Sequence, residues 1–165
     1  AAGAEVRPFS PLADEAPDPD ADLVWLPGGY PELHGGRLAA AVTFLSSFSN
    51  AAFSTDIYGE CGGYMVLGDG LIDAEGTRHA MAGLLRLETS FERRKLHLGY
   101  RDVTPLGGVF ARPLKAHEFH YASTLTSDGD ALFTACDAEG TELPPMGLRL
   151  GRVSGSFAHV IDMAS

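Results

Sequence analysis

The chain has 165 residues, 45% of them hydrophobic and 21% charged, with a formal net charge of −10. That length fits one domain with a substantial core, and the acidic balance argues against nucleic-acid phosphates, which need clustered Lys and Arg. The one basic cluster, Arg93-Arg94-Lys95, reads as a solvated turn, and no apolar run approaches the roughly 18 to 20 residues that span a bilayer.

The start carries no basic and apolar signal-peptide pattern. Two cysteines, Cys61 and Cys136, make no disulfide framework, so a reducing cytoplasm is the expected location. Ala1-Ala2-Gly3-Ala4 reads as a helix end with its glycine stop, and residues 5–9 as a short strand. Residues 10–21, rich in proline and acids, read as an exposed loop. Residues 22–26 form an apolar run closed by Pro27-Gly28-Gly29, the pattern of a buried strand entering a tight turn.

Leu38, Val42, Leu45 and Phe48 recur at helical spacing, which predicts an amphipathic helix over residues 37–48. Residues 52–58 read as a strand, and 64–67 as a short helix closed by Gly68. Strand, helix, strand, helix implies a parallel sheet with helices on its faces. Beyond residue 80 the segments 81–87, 98–104, 116–125 and 148–160 are β-rich and separated by Gly, Pro and Asp turns. No long helix is expected there, and a mixed sheet with antiparallel additions is the simplest reading.

Gly59-x-Cys61-x-Gly63 falls where a strand hands over to a helix. This is a nucleophile elbow with cysteine in place of serine. The turn is too sharp for flanking side chains, hence the glycines. It puts the sulfur at a helix N-terminus, where free N–H groups should lower the thiol pKa. The competing reading is a cysteine packed as a small hydrophobe; for Cys136, which has no such context, that reading stands.

A nucleophilic cysteine needs a base. His159 ends the last β segment, where its side chain can reach the same sheet edge as the elbow; a purely structural histidine stays an alternative on pattern alone. Acyl chemistry also needs oxyanion donors, and the turn Pro27-Gly28-Gly29-Tyr30 and the N–H of Gly62 offer them. His117-Glu118-Phe119-His120 lacks the spacing of a helical zinc motif, and residues three apart on a strand face opposite ways, so no metal site is expected. No Gly-rich loop ends in Gly-Lys-Ser/Thr, so ATP is not bound by that route.

Four motifs in order, Leu26-Pro27-Gly28-Gly29-Tyr30-Pro31-Glu32-Leu33-His34, Glu60-Cys61-Gly62-Gly63-Tyr64-Met65, His117-Glu118-Phe119-His120-Tyr121 and Gly155-Ser156-Phe157-Ala158-His159, cover nearly the whole chain. They resemble the glutaminase domain of the cobyrinic and hydrogenobyrinic acid a,c-diamide synthases. The resemblance implies an α/β, flavodoxin-like class I glutamine amidotransferase fold, mostly parallel and flanked by helices, with antiparallel additions in the C-terminal half.

It also implies roles. Cys61 would attack glutamine, His159 would be its base, and Gly28, Gly29, Tyr30 and Gly62 would line the oxyanion and glutamine site. Glu60, His117, Glu118 and His120 belong to the shared motifs and would support the site from behind. No cofactor is expected in this chain. ATP and Mg would be used by an N-terminal synthetase domain absent from it, which amidates a corrinoid acceptor. The family's first strand and helix would also precede Ala1. The resemblance leaves room for a homodimer.

One position departs from the triad pattern. The Glu usually found two residues after the catalytic His is here Ile161. Asp162 follows, and on a regular strand it would face the other way, so the third member stays open between a Cys–His dyad and an acid from elsewhere. Rival readings are the glutaminase of cobyric acid synthase or a related amidotransferase, a cysteine hydrolase or peptidase on a related fold, and a binding module that has lost activity.

Overall fold

Turn residues cut the chain into many short elements, which the computed structural model describes over residues 3–164. In chain order these are β1 (Leu23–Leu26), α1 (Gly35–Ala39), α2 (Val42–Ala51), β2 (Asp56–Glu60), α3 (Gly62–Leu67), β3 (Gly70–Ile72), β4 (Arg78–Ala80), β5 (Arg86–Ser90) and β6 (His97–Pro105). The remainder is β7 (Leu114–His120), β8 (Ser123–Asp128), β9 (Phe133–Asp137), β10 (Glu142–Met146), β11 (Leu148–Leu150), β12 (Val153–Ser156) and β13 (Ala158–Met163).

Three sheets result, ordered β1-β2-β12-β11, β10-β9-β6-β7-β13 and β4-β3-β5-β8. In the first, β2 pairs in parallel with both β1 and β12, and β11 is added antiparallel. The five-stranded sheet is wholly antiparallel. The expected α/β architecture is therefore present, with its parallel part confined to β1, β2 and β12 and to the β3–β5 pair.

Alternation along β2 explains how the layers stack. Ile57 and Tyr58, both fully buried, point to opposite faces. Ile57 packs in a core with Val24, Leu26, Phe44, Phe48, Met65 and Leu67, which seats the helices on one face. Tyr58 packs with Val103, Leu114, Ala116, Phe133 and Ala158, which seats the antiparallel sheet on the other. Trp25 and Phe110 meet Tyr58 edge-on at centroid distances of 4.7 and 5.0 Å.

Several sequence expectations are corrected. The helix end expected at residues 1–4 falls partly outside the described residues. Residues 5–9 form no strand: residues 5–8 are exposed, Phe9 packs half-buried against Phe44, none pairs with a neighbouring strand, and Pro8 lacks the N–H a ladder needs. The loop of residues 10–21 is not simply free. Pro11–Ala13 makes a 3-10 turn, and Asp14, left-handed at φ 57°, accepts the N–H of Phe44 at 2.9 Å.

That bond caps α2 from a distance. It accompanies a break at Ala41, whose ψ of 76° is not helical, so the helix expected over residues 37–48 is two helices. The strand predicted at 52–58 starts later, at Asp56, because residues 52–55 are spent on the turn after α2. In the second half the long β segments are divided among sheets. Residues 116–125 split at Tyr121-Ala122 between β7 and β8, residues 148–160 supply β11, β12 and β13, and most of 81–87 lies between β4 and β5.

Candidate active site

Cys61 sits between the last residue of β2 and the first of α3. Its backbone is at φ 49°, ψ −103°, one of two non-glycine residues with positive φ among the described residues. A side chain held there costs energy that the surroundings must meet, and such strain gathers at functional sites. Here the Cys61 N–H donates to the Ser156 carbonyl at 2.8 Å, and its own carbonyl accepts from Met65 at 3.1 Å.

The flanking glycines are sterically required. A Cβ on Gly59 would lie 2.7 Å from the Gly63 carbonyl oxygen, one on Gly62 would lie 2.7 Å from the Gly29 nitrogen, and one on Gly63 would collide with the Leu26 carbonyl. The turn after β1 thus rests directly on the elbow, and the Gly63 N–H donates to the Pro27 carbonyl at 3.1 Å. Among the described residues the N–H groups of Gly28, Gly29 and Gly62 have no acceptor in a turn, loop or cap. Those are the donors an oxyanion would use.

The expected base arrives from the other sheet. Ser156 ends β12 opposite Glu60, and its hydroxyl accepts the Ala158 N–H at 3.0 Å where the chain turns into β13. His159 follows and approaches the same turn: a Cβ on Gly28 would lie 2.8 Å from His159 Cε1 and 3.7 Å from Cys61 Cβ. Gly28 is what allows both side chains to approach this turn.

The carboxylate behind the imidazole is Glu60, the residue immediately before the cysteine. Its Oε1 lies 3.2 Å from His159 Nδ1, and its Oε2 accepts the Val160 N–H at 3.2 Å. On the other side His117 stacks on the His159 ring, with centroids 4.8 Å apart and planes 10° from parallel. Among the described residues Asp162 makes no hydrogen bond to His159. A bulge between Val160 and Asp162 sets it opposite Lys115, on the face that also carries His117 and His159, contrary to the regular-strand expectation. Its carboxylate instead accepts the Met163 N–H at 2.8 Å. Ile161 is exposed.

His117 and His120 do face opposite ways, as strand alternation requires. His120 stacks on Phe157 at 3.8 Å and on His97 at 4.5 Å. Its Nδ1 lies 3.1 Å from the Ala122 carbonyl and its Nε2 2.9 Å from Glu118. Arg101 donates to Glu118 at 3.0 Å. Burial is the largest single influence on the Glu118 carboxyl and opposes its charge, but hydrogen bonds from His120 and Arg101 together hold it below its ordinary pKa. His97, Glu118 and His120 bring ligand atoms within 4.8 Å of one another. The two rings are parallel to within 3°, however, so their in-plane lone pairs cannot converge on one ion, and Arg101 already supplies the positive charge.

Cys61 corrects the expectation of a low thiol pKa. Burial pushes the thiol up to about 11, the Gly62 N–H lowers it in part, and the charges of Glu60, Glu32 and Glu118 raise it further. A six-residue helix offsets little of that. The thiol donates to the Phe119 carbonyl at 3.8 Å, and among the described residues no hydrogen bond joins it to His159.

A cleft of about 390 Å³ opens over the sulfur, lined by Gly28, Gly29, Glu32, Cys61, Phe119 and His159 among others. That is the size of a small-ligand site. Tyr30, 69% exposed, stands at its rim. A larger cleft of about 1060 Å³ runs along the open edge of β1 and lacks both Cys61 and His159. Sequence reasoning did not single out Glu32, Met65, Phe91 or Arg101, and gave Glu60 only a supporting place. The signal for Glu60 was its position beside the nucleophile at the end of the same strand.

A family model described as a CobB/CobQ-like glutamine amidotransferase domain matches residues 1–164. The chain is 61% identical over 165 residues to a hydrogenobyrinate a,c-diamide synthase of Brucella abortus biovar 1, covering 98% of this chain and 38% of that one. It is 57% identical over 166 residues to the synthase of that name from Sinorhizobium sp, again covering 98% and 38%. For Rhodobacter capsulatus the identity is 56% over 164 residues, covering 97% and 38%. The chain therefore spans less than half the length of these relatives. A solved structure described as a crystal structure of glutamine amidotransferase aligns with a TM-score of 0.54 at 16% identity, over 84% of this chain and 70% of that one, a likeness of fold.

Proposed function

The chain belongs to the CobB/CobQ-like glutamine amidotransferase family, and on that premise we propose that it is a glutaminase whose nucleophile is Cys61. The observation that carries this reading is the elbow: a positive-φ cysteine between β2 and α3, covered by the Gly28–Gly29 turn, with His159 held beside it by Glu60.

With Nδ1 engaged by Glu60, His159 has Nε2 free to take a proton. The Cys61 side chain leaves the Phe119 carbonyl, gives its proton to His159, and attacks the γ-carboxamide carbon of glutamine. The N–H groups of Gly62 and of the Gly28–Gly29 turn receive the oxyanion. The C–N bond breaks as His159 protonates the leaving nitrogen, which departs as ammonia and leaves a γ-glutamyl thioester on Cys61. Water then attacks the thioester with His159 as base, releasing glutamate and restoring the thiol. Because the thiol is protonated at neutral pH, transfer to a correctly oriented imidazole is required for attack.

The relatives' name supports a destination for the ammonia: amidation of the a and c carboxylates of hydrogenobyrinic acid, carried out by a synthetase part of a longer protein. ATP and Mg²⁺ would act there, and glutamine here. The test is Cys61→Ala in the full-length protein. Amidation from glutamine is expected to vanish while amidation from free ammonia survives; persistence of the glutamine-driven reaction rules the assignment out.

A further inference from the structure

Three carboxylates act on the Cys61 thiol: Glu60, Glu32 and Glu118. Two are committed. Glu60 holds His159 and the Val160 N–H. Glu118 is held by Arg101 and His120. Glu32 is different. It lines the cleft over Cys61, is partly buried, and among the described residues forms no ion pair with Arg, Lys or His. Burial raises its pKa, and its own N–H, Arg94 and His34 offset this only in part.

A carboxylate facing a cleft without a partner is satisfied when the ligand brings a cation. Glutamine carries one. Its α-ammonium lies four bonds from the carbonyl carbon that Cys61 attacks. The fold also fixes Glu32 well: it sits in the 3-10 turn Pro31–Leu33, directly after the Gly28–Gly29 turn and next to the buried Pro31. Carboxylate and oxyanion donors therefore lie on one short, anchored stretch of backbone.

We propose that Glu32 is the α-ammonium site of this cleft, so that the enzyme selects a free α-amino acid amide and discriminates against amides lacking that group. The inference rests on the glutaminase reading and adds to it the group that recognises the far end of the substrate. It also gives the Pro31–Leu33 turn a role in binding. Glu32 touches the substrate without taking part in bond making.

The test compares glutamine with 4-carbamoylbutanoate, the same amide without the α-amino group, and with N-acetylglutamine, in the full-length protein. Ammonia release is followed for the unaltered protein and for Glu32→Gln. The unaltered protein is expected to favour glutamine over both analogues by about 10- to 100-fold in kcat/KM, the range of a charge-assisted hydrogen bond. In Glu32→Gln the value for glutamine falls by about that factor, mainly through KM, while 4-carbamoylbutanoate changes little and the preference collapses.

Equal use of all three amides by the unaltered protein overturns the inference without needing the variant. So does a Glu32→Gln variant that loses both substrates alike or keeps the full preference. Absence of any ammonia release from glutamine by the unaltered protein is a distinct result: it removes the glutaminase reading itself.

Discussion

The nucleophile and its base come from two regions held in place by different means. Cys61 follows β2 of the sheet that holds the parallel strands β1, β2 and β12, and its position is set by backbone. Gly59, Gly62 and Gly63 leave no room for a Cβ, and the carbonyls of Pro27 and Ser156 accept the N–H groups of Gly63 and Cys61. His159 belongs to the antiparallel sheet, near the start of the bulged strand β13, and its ring is set by side chains: Glu60 at one edge and His117 across one face. The two kinds of restraint differ in how they fail. A backbone restraint fails with the fold, whereas a side-chain restraint can be lifted while the fold stays.

Gly63→Ala presses hardest on that contrast. The new methyl group meets the Leu26 carbonyl, so either β1 or α3 must move. We expect a loss of about 3 kcal/mol, a fall in melting temperature of about 6–12 °C, and loss of glutaminase activity. Unchanged melting would mean that the elbow is not held by its backbone.

Glu60→Gln lifts the side-chain restraint alone. The expected result is a fall in kcat of about 10²- to 10⁴-fold, as when a triad carboxylate is neutralised, with melting close to that of the unaltered protein. Full activity in Glu60→Gln, together with loss in Asp162→Asn, would move the third role to the bulged strand.

The smallest effect sharpens the account of the thiol. Burial holds Cys61 near 11. Its alkylation rate should therefore rise about tenfold per pH unit from pH 8 and keep rising toward 11, whereas an ordinary thiol levels off near 8.5. Raising the pH deprotonates the group, so the rate must climb. A plateau near pH 7 would show that the helix N-terminus, not burial, dominates.

The same contrast explains what the sequence made legible. The elbow could be read because backbone crowding leaves a compositional trace: glycines two residues either side of Cys61, and a second pair at residues 28 and 29. The alternating order of the first half likewise predicts the parallel pairing of β1 with β2, but not that of β12, which comes from the second half of the chain. The base was legible as a residue but not its partner. Glu60 reaches His159 only because β12 pairs with β2, setting Ser156 opposite Glu60, and no local spacing encodes that pairing. The bulge that turns Asp162 onto the face of His159 was hidden for the same reason: it is a register shift against β7. The low thiol pKa was mistaken because the helix-end effect is local and visible in sequence, whereas burial and three nearby carboxylates are products of tertiary packing.

The most direct test of the central claim is mass spectrometry of the full-length protein quenched in acid during turnover of glutamine. We predict a γ-glutamyl thioester on the peptide containing Cys61, accumulating in the steady state and absent from Cys61→Ala. An adduct on Cys136 instead, or continued hydrolysis of glutamine by Cys61→Ala, would contradict it.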